Sequence, residues 1–229
     1  METEDFFGFE DKERDFPFYK KNPHIPKWGW IVLFIVLPLG LILTVSKKIP
    51  IALLSCIVLI VPVLYFLKWD YTAIFQKPKL KDVGLAVALF GGYILYAFVI
   101  TTLLEQVGIT GGELIEESTL SIMTIISSVF SLMSEEFVKF IPFIFFLRVF
   151  FKYTENRKLS VIISVGLVMA FFACLHAYNF KMLLFALCIQ GFGSIFEYIG
   201  YIKTKNILIS YITHLCTDVF IYAVVLLGL

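Results

Sequence analysis

Ser127–Phe146 reads SSVFSLMSEEFVKFIPFIFF, which sets two adjacent glutamates, Glu135 and Glu136, and Lys139 inside one of the most apolar stretches of a 229-residue chain. A carboxylate in hydrocarbon costs roughly 2.5–3.5 kcal/mol even on insertion scales. Such groups persist where they are paired, where they face a wet cavity, or where they perform chemistry. The stretch is too apolar for a soluble surface and too charged for lipid. It therefore points to a helix packed inside a membrane bundle, with a polar site on its inner face.

The rest of the chain agrees with a membrane bundle. It is 59% hydrophobic and 16% charged, against about 45–50% and about 25% for soluble domains. The 25 Phe and 11 Tyr suit lipid contact and interfacial belts. A net charge of +1 with no basic stripe gives no support for a nucleic-acid partner, and the lipid bilayer is the expected surrounding medium. Cys56, Cys174, Cys188 and Cys216 all fall in apolar runs without a C-x-x-C pair, as expected of small core residues. The first 27 residues lack an apolar core, so no cleavable signal peptide is expected.

A membrane helix needs roughly 20 mostly apolar residues. The expected spans are Trp28–Ser46, Ile49–Leu67, Val83–Leu104, Leu120–Phe151, Leu159–Tyr178, Met182–Tyr201 and Ile207–Leu229. The fourth is too long for one perpendicular crossing and should tilt, bend near Pro142 or protrude. Trp69–Asp82 suits an interfacial segment. The expected fold class is all-α: a polytopic transmembrane helix bundle of seven helices, eight if one of those two segments divides, enclosing an intramembrane polar cavity. Residues 1–27 are expected to form a polar surface tail, residues 28–229 the bundle, and residues 120–229 its catalytic core.

Alternate loops carry Lys20, Lys21 and Lys27; Lys68, Lys77, Lys79 and Lys81; Arg148, Lys152, Arg157 and Lys158; and Lys203 and Lys205. The opposite set holds Lys47, Lys48 and Lys181. The positive-inside rule then predicts a cytoplasmic N-terminus in an integral membrane protein, with a prokaryotic cell membrane as the expected location. The loop Glu105–Ser118, with Gly111-Gly112 and a second acid pair Glu116-Glu117, reads as solvated. No internal repeat is visible, which weakens an inverted-repeat transporter.

Three spans carry the candidate chemistry. Neighbouring helix positions point about 100° apart, so Glu135 and Glu136 face different partners, and Lys139 can pair with either. Phe172 and His176 lie one turn apart in the fifth span. His214 and Asp218 share a face of the last span, which suits an aspartate that orients the imidazole or helps to bind substrate. The bland account of the first group is a buried ion pair plus a protonated glutamate; that of His176 is an interfacial histidine with one hydrogen bond. Glu197, six residues before Lys203, reads as able to reach the surface and so as peripheral. Gln190, Gly191 and Gly193 read as helix packing, and His24 carries no role.

E-E-x-x-K (Glu135, Glu136, Lys139), then F-x-x-x-H (Phe172 to His176), then H-x-x-x-D (His214 to Asp218), in order on three apolar spans, resembles the CPBP superfamily of intramembrane proteases. That group includes the CAAX prenyl endopeptidases and the bacteriocin-processing or immunity-associated Abi proteins. The resemblance covers residues 120–229. It departs at Phe140, where the family has arginine; the base is Lys139 instead, as in the related PrsW-type proteases, although His176 is the CPBP choice. The resemblance implies Glu135 as general base on a water, with Glu136 supporting it or exchanging roles with it. It implies His176 and His214 holding the water or the oxyanion, Asp218 orienting or joining the oxyanion site, and Lys139 and Phe172 in support.

The implied substrate is a membrane-associated peptide or a prenylated or lipid-anchored protein. Glu135, His176 and His214 also make a two-His, one-carboxylate set for a divalent metal such as zinc, so metal-free and metal-dependent hydrolysis both remain open at this point. The competing classes are an immunity or other binding protein that retains the fold, and a proton-coupled transporter.

Overall fold

The computed structural model describes residues 14–19, 25–46, 48–111 and 121–227. Lys20, Lys21, His24, Lys47, Gly112, Glu116 and Glu117 lie outside the described residues. The described elements are helices: α1 (Lys27–Thr44), α2 (Ile49–Phe66), α3 (Leu80–Gln106), α4 (Ile122–Thr154), α5 (Arg157–Leu175), α6 (Phe180–Ala186), α7 (Ile195–Thr204) and α8 (Ile207–Leu226). A π-turn, Leu187–Gly191, and a 3₁₀ turn, Phe192–Ser194, join α6 to α7, so the two form one interrupted rod. The fold class is thus the expected helical bundle, with seven rods among the described residues.

Six of these rods are long and apolar enough to cross a membrane. The exception is α4, which carries Glu135, Glu136 and Lys139 at its middle. It runs unbroken through Pro142 for 33 residues, about 50 Å at 1.5 Å per residue, and so neither divides nor stops at the proline. It is also the innermost helix, packed against α1, α2, α5 and α8 and buried along Ser134 and Glu136–Ile144. Outward faces are apolar, as at Ile35, Leu95 and Phe98, and suit lipid. Trp69–Asp82 does not cross; it holds a 3₁₀ turn at Tyr71–Ala73.

Local chemistry sets the helix ends. Asn156, Asn179 and Asn206 cap α5, α6 and α8 by accepting from backbone N–H groups of the first turn, which satisfies donors that the helix cannot. Close packing of α1 on α2 needs Gly40: a Cβ there would lie 2.5 Å from Leu59 Cγ, and the Gly40 carbonyl accepts from Ser55 Oγ at 2.9 Å.

Four connections meet at one end of the bundle, as the alternating basic loops predict. Asn206 donates to the Gln76 carbonyl at 3.0 Å, and Ile207 N–H to the Ile74 carbonyl at 3.0 Å. The expectation of a surface tail fails here. Phe16, Pro17 and Phe18 are buried; the Phe16 ring packs on Phe143 and Tyr201, with Lys205 Nζ 4.3 Å and Arg157 Cζ 5.0 Å from its centroid. Asp15 pairs with Arg157 at 2.8 Å, and Arg148 donates to the Phe18 carbonyl at 2.9 Å. Aromatic burial and cation–π contact hold a segment whose overall polarity suggested solvent.

The cysteines are all free. Cys56 alone of the four is buried; its Sγ donates to the Phe130 carbonyl at 2.9 Å and accepts from Ser134. Cys174 is exposed on α5 rather than in the core.

Candidate active site

Three helices supply the polar centre. On α4, Glu136 and Lys139 sit three residues apart on the inner face, with Glu135 turned about 100° from Glu136. On α8, Ser210, His214 and Asp218 repeat every four residues and form one stripe. The third helix, α7, brings Glu197. Glu136, Lys139, Glu197, Ser210 and His214 are all buried; Glu135 and Asp218 are not, with side chains 23% and 26% exposed.

Glu136 receives three donors. Lys139 Nζ lies 2.5 Å from its Oε1, His214 Nδ1 lies 2.8 Å from the same oxygen, and the Ser210 hydroxyl donates to Oε2. A carboxylate only accepts, so this contact puts the ring proton of His214 on Nδ1. Lys139 also pairs with Glu197, and its Nζ lies 3.4 Å from His214 Nδ1 as a close contact. Buried charges persist when paired and hydrogen-bonded, and Glu136 meets that condition with its three donors.

His214 then presents Nε2 to the other side. Glu135 Oε2 lies 4.0 Å from it and Asp218 Oδ1 3.9 Å. Both gaps exceed a hydrogen bond and match the span of a bridging water. The ring thus divides the site: a saturated ion cluster at Nδ1, and two partly exposed carboxyl groups at Nε2. Glu136 orients the imidazole at Nδ1; Asp218, expected as orienter or oxyanion partner, stands on the Nε2 side.

His176 caps the C-terminus of α5 rather than lying within the span. Its Nδ1 donates to the Phe172 carbonyl at 2.8 Å, and its ring packs on the Phe172 ring with centroids 4.6 Å apart. Lys139 Nζ lies 5.0 Å from the Phe172 centroid. Phe172 therefore touches both the ion cluster and His176, which stands at the edge of the site. The convergent ligand set is correspondingly not Glu135, His176 and His214. Among the described residues, ligand atoms of Glu136, Glu197 and His214 come within 4.8 Å of one another, and Lys139 bonds to two of the three.

Glu197 is the functional-site residue that the sequence reading misplaced. It is 6% exposed and paired with Lys139, far from peripheral. Nearness to Lys203 along the chain sets only the depth of Glu197; α7 packs on α8, and the side chain turns inward to Lys139 instead of reaching the surface. Tyr96 donates to the Cys188 carbonyl within the π-turn before α7 at 2.7 Å, and Gly191 lets α5 approach, since a Cβ would meet the Met169 carbonyl at 3.0 Å. Gly191 and Gly193 thus serve helix packing as expected. Available signals were Glu197 itself, within a mostly apolar segment, and the small residues Gly191, Gly193 and Ser194 before it.

A cavity of about 20 Å³ adjoins the cluster, lined by Glu136, Lys139, Glu197, Tyr198, Tyr201 and Ser210 among others. It has room for a water. Phe143 and Tyr201 line it as well, and the buried Phe16 ring packs on both. No family model, curated protein or solved structure matches this chain.

Proposed function

We propose that this chain is an intramembrane endopeptidase of the CPBP type, cleaving a membrane-associated peptide or a lipid-anchored protein, with its basic end in the cytoplasm. The observation that carries the reading is the asymmetry of His214: Nδ1 fixed by Glu136, Nε2 open between Glu135 and Asp218. Glu136 spends three of its roughly four acceptor sites on donors inside the cluster and is buried. Glu135 lies 4.0 Å from His214 Nε2 and is partly exposed.

The roles follow from that geometry. A water between Glu135 and Nε2 gives one proton to Glu135 while its oxygen attacks the scissile carbonyl carbon. Nε2 accepts the water's second hydrogen and so aims the attacking lone pair. Asp218 borders the place where the oxyanion develops and, carrying a proton, would donate to it. Glu135 returns its proton to the amide nitrogen as the C–N bond breaks, leaving an amine and a carboxylic acid. Glu136, Lys139, Ser210 and Glu197 position the ring without touching substrate.

The test is cleavage of a panel of membrane peptides by purified protein, with and without chelator. Wild type should cleave at least one peptide and tolerate chelator, and Glu135→Gln should lose about 10²–10⁴-fold in turnover at unchanged expression. Equal turnover by wild type and Glu135→Gln would sink the assignment, and loss of turnover on chelation would transfer the chemistry to a metal.

A further inference from the structure

Zinc is the cofactor that the motif resemblance leaves open, and the three buried ligand groups that converge here, Glu136, Glu197 and His214, are not the three expected. Their chemistry suits a divalent ion: carboxylate oxygen and imidazole nitrogen are both zinc ligands. Their ligand atoms lie within 4.8 Å of one another. Tetrahedral zinc with bonds of about 2.0–2.1 Å would place them roughly 3.4 Å apart, a closure of at most about 1.4 Å that side-chain torsions can supply. The position is nevertheless taken. Lys139 Nζ lies 2.5 Å from Glu136, bonds to Glu197, and stands 3.4 Å from His214 Nδ1.

We propose that Glu136, Glu197 and His214 form a latent divalent-metal site in which the Lys139 ammonium serves as a built-in cation, so that the native chain binds no metal there. The tether explains how two carboxyl groups stay buried side by side without an ion. A metal on these ligands would take the Nδ1 lone pair, so that nitrogen would have to release its proton; as folded, it spends that proton on Glu136. A second feature fits a vacated site. The cavity beside Lys139 also bears Tyr198, whose hydroxyl is buried with no hydrogen-bond partner among the described residues. With the lysine side chain gone, that space would hold a metal-bound water within reach of this hydroxyl.

The inference concerns metal binding alone and stands whether or not the chain is a peptidase. The experiment titrates Co²⁺ into full-length protein in detergent and reads visible d–d absorption and the melting temperature. Lys139→Ala should acquire tetrahedral Co²⁺ bands at one equivalent and melt higher with Co²⁺ than without. Wild type should bind at least 100-fold more weakly, and Lys139→Ala/Glu197→Gln should lose the bands. Because Lys139→Ala leaves two acids unpaired, it is expected to fold poorly without metal, and recovery of a cooperative melt on adding Co²⁺ counts as binding. The proposal is overturned if Lys139→Ala gains neither bands nor a higher melting temperature, or if wild type binds Co²⁺ as tightly as the variant.

Discussion

The two sides of the His214 ring differ in everything but their chemistry. Each faces two acids, Glu136 and Glu197 at Nδ1, Glu135 and Asp218 at Nε2. At Nδ1 the acids are buried, carry a lysine between them, and sit within hydrogen-bond distance of their donors. At Nε2 they are partly exposed and stand about one water away. The difference teaches that burial with a full set of partners makes an acid structural, whereas partial exposure with an unfilled gap keeps it available. Glu135 and Glu136 are neighbours in sequence, and a 100° turn of one helix separates the two fates.

Substitutions can break the comparison from either side. The largest effect is expected at Glu135: Glu135→Gln should lower turnover by about 10²–10⁴-fold, the usual worth of a positioned general base. Its stability in chemical denaturation should stay within about 0.5 kcal/mol of wild type. Lys139→Met should act in the opposite sense, destabilising by about 3–5 kcal/mol because it strands Glu136 and Glu197 as uncompensated buried charges. Denaturation with and without the substitution measures that loss. Ser210→Ala removes one hydrogen bond to a charged carboxylate and should cost about 1.5–3 kcal/mol, read in the same assay. Asp218→Asn is the mildest: it keeps a donor on the open side, so it should change turnover less than Glu135→Gln does and leave the melting temperature unmoved.

Much of this was legible before any coordinates. Glu135, Glu136 and Lys139 within apolar sequence announced an inward face, and the four-residue spacing of His214 and Asp218 placed them on one stripe. Other placements are hidden in the sequence: distance from a basic loop gives depth but not direction, and an apolar run does not mark where a helix ends. Glu197 lies close to Lys203 along the chain yet turns inward to Lys139. The end of α5 at Leu175 leaves His176 as a cap, tied to the Phe172 carbonyl. Tail residues Phe16–Phe18 were misread because composition averages over a segment, whereas two aromatic rings suffice to bury it. Ser210 carried no motif; its role appears only once α8 lies against α4.

The most direct test of the divided histidine sets Glu135→Gln beside Glu136→Gln in one preparation, measuring thermal stability and peptide turnover on the same samples. The account predicts a Glu135→Gln that loses about 10²–10⁴-fold in turnover yet melts like wild type, and a Glu136→Gln that melts clearly lower because it weakens the contacts to Lys139, His214 and Ser210. Equal melting temperatures, or a destabilised Glu135→Gln beside an unperturbed Glu136→Gln, would contradict it.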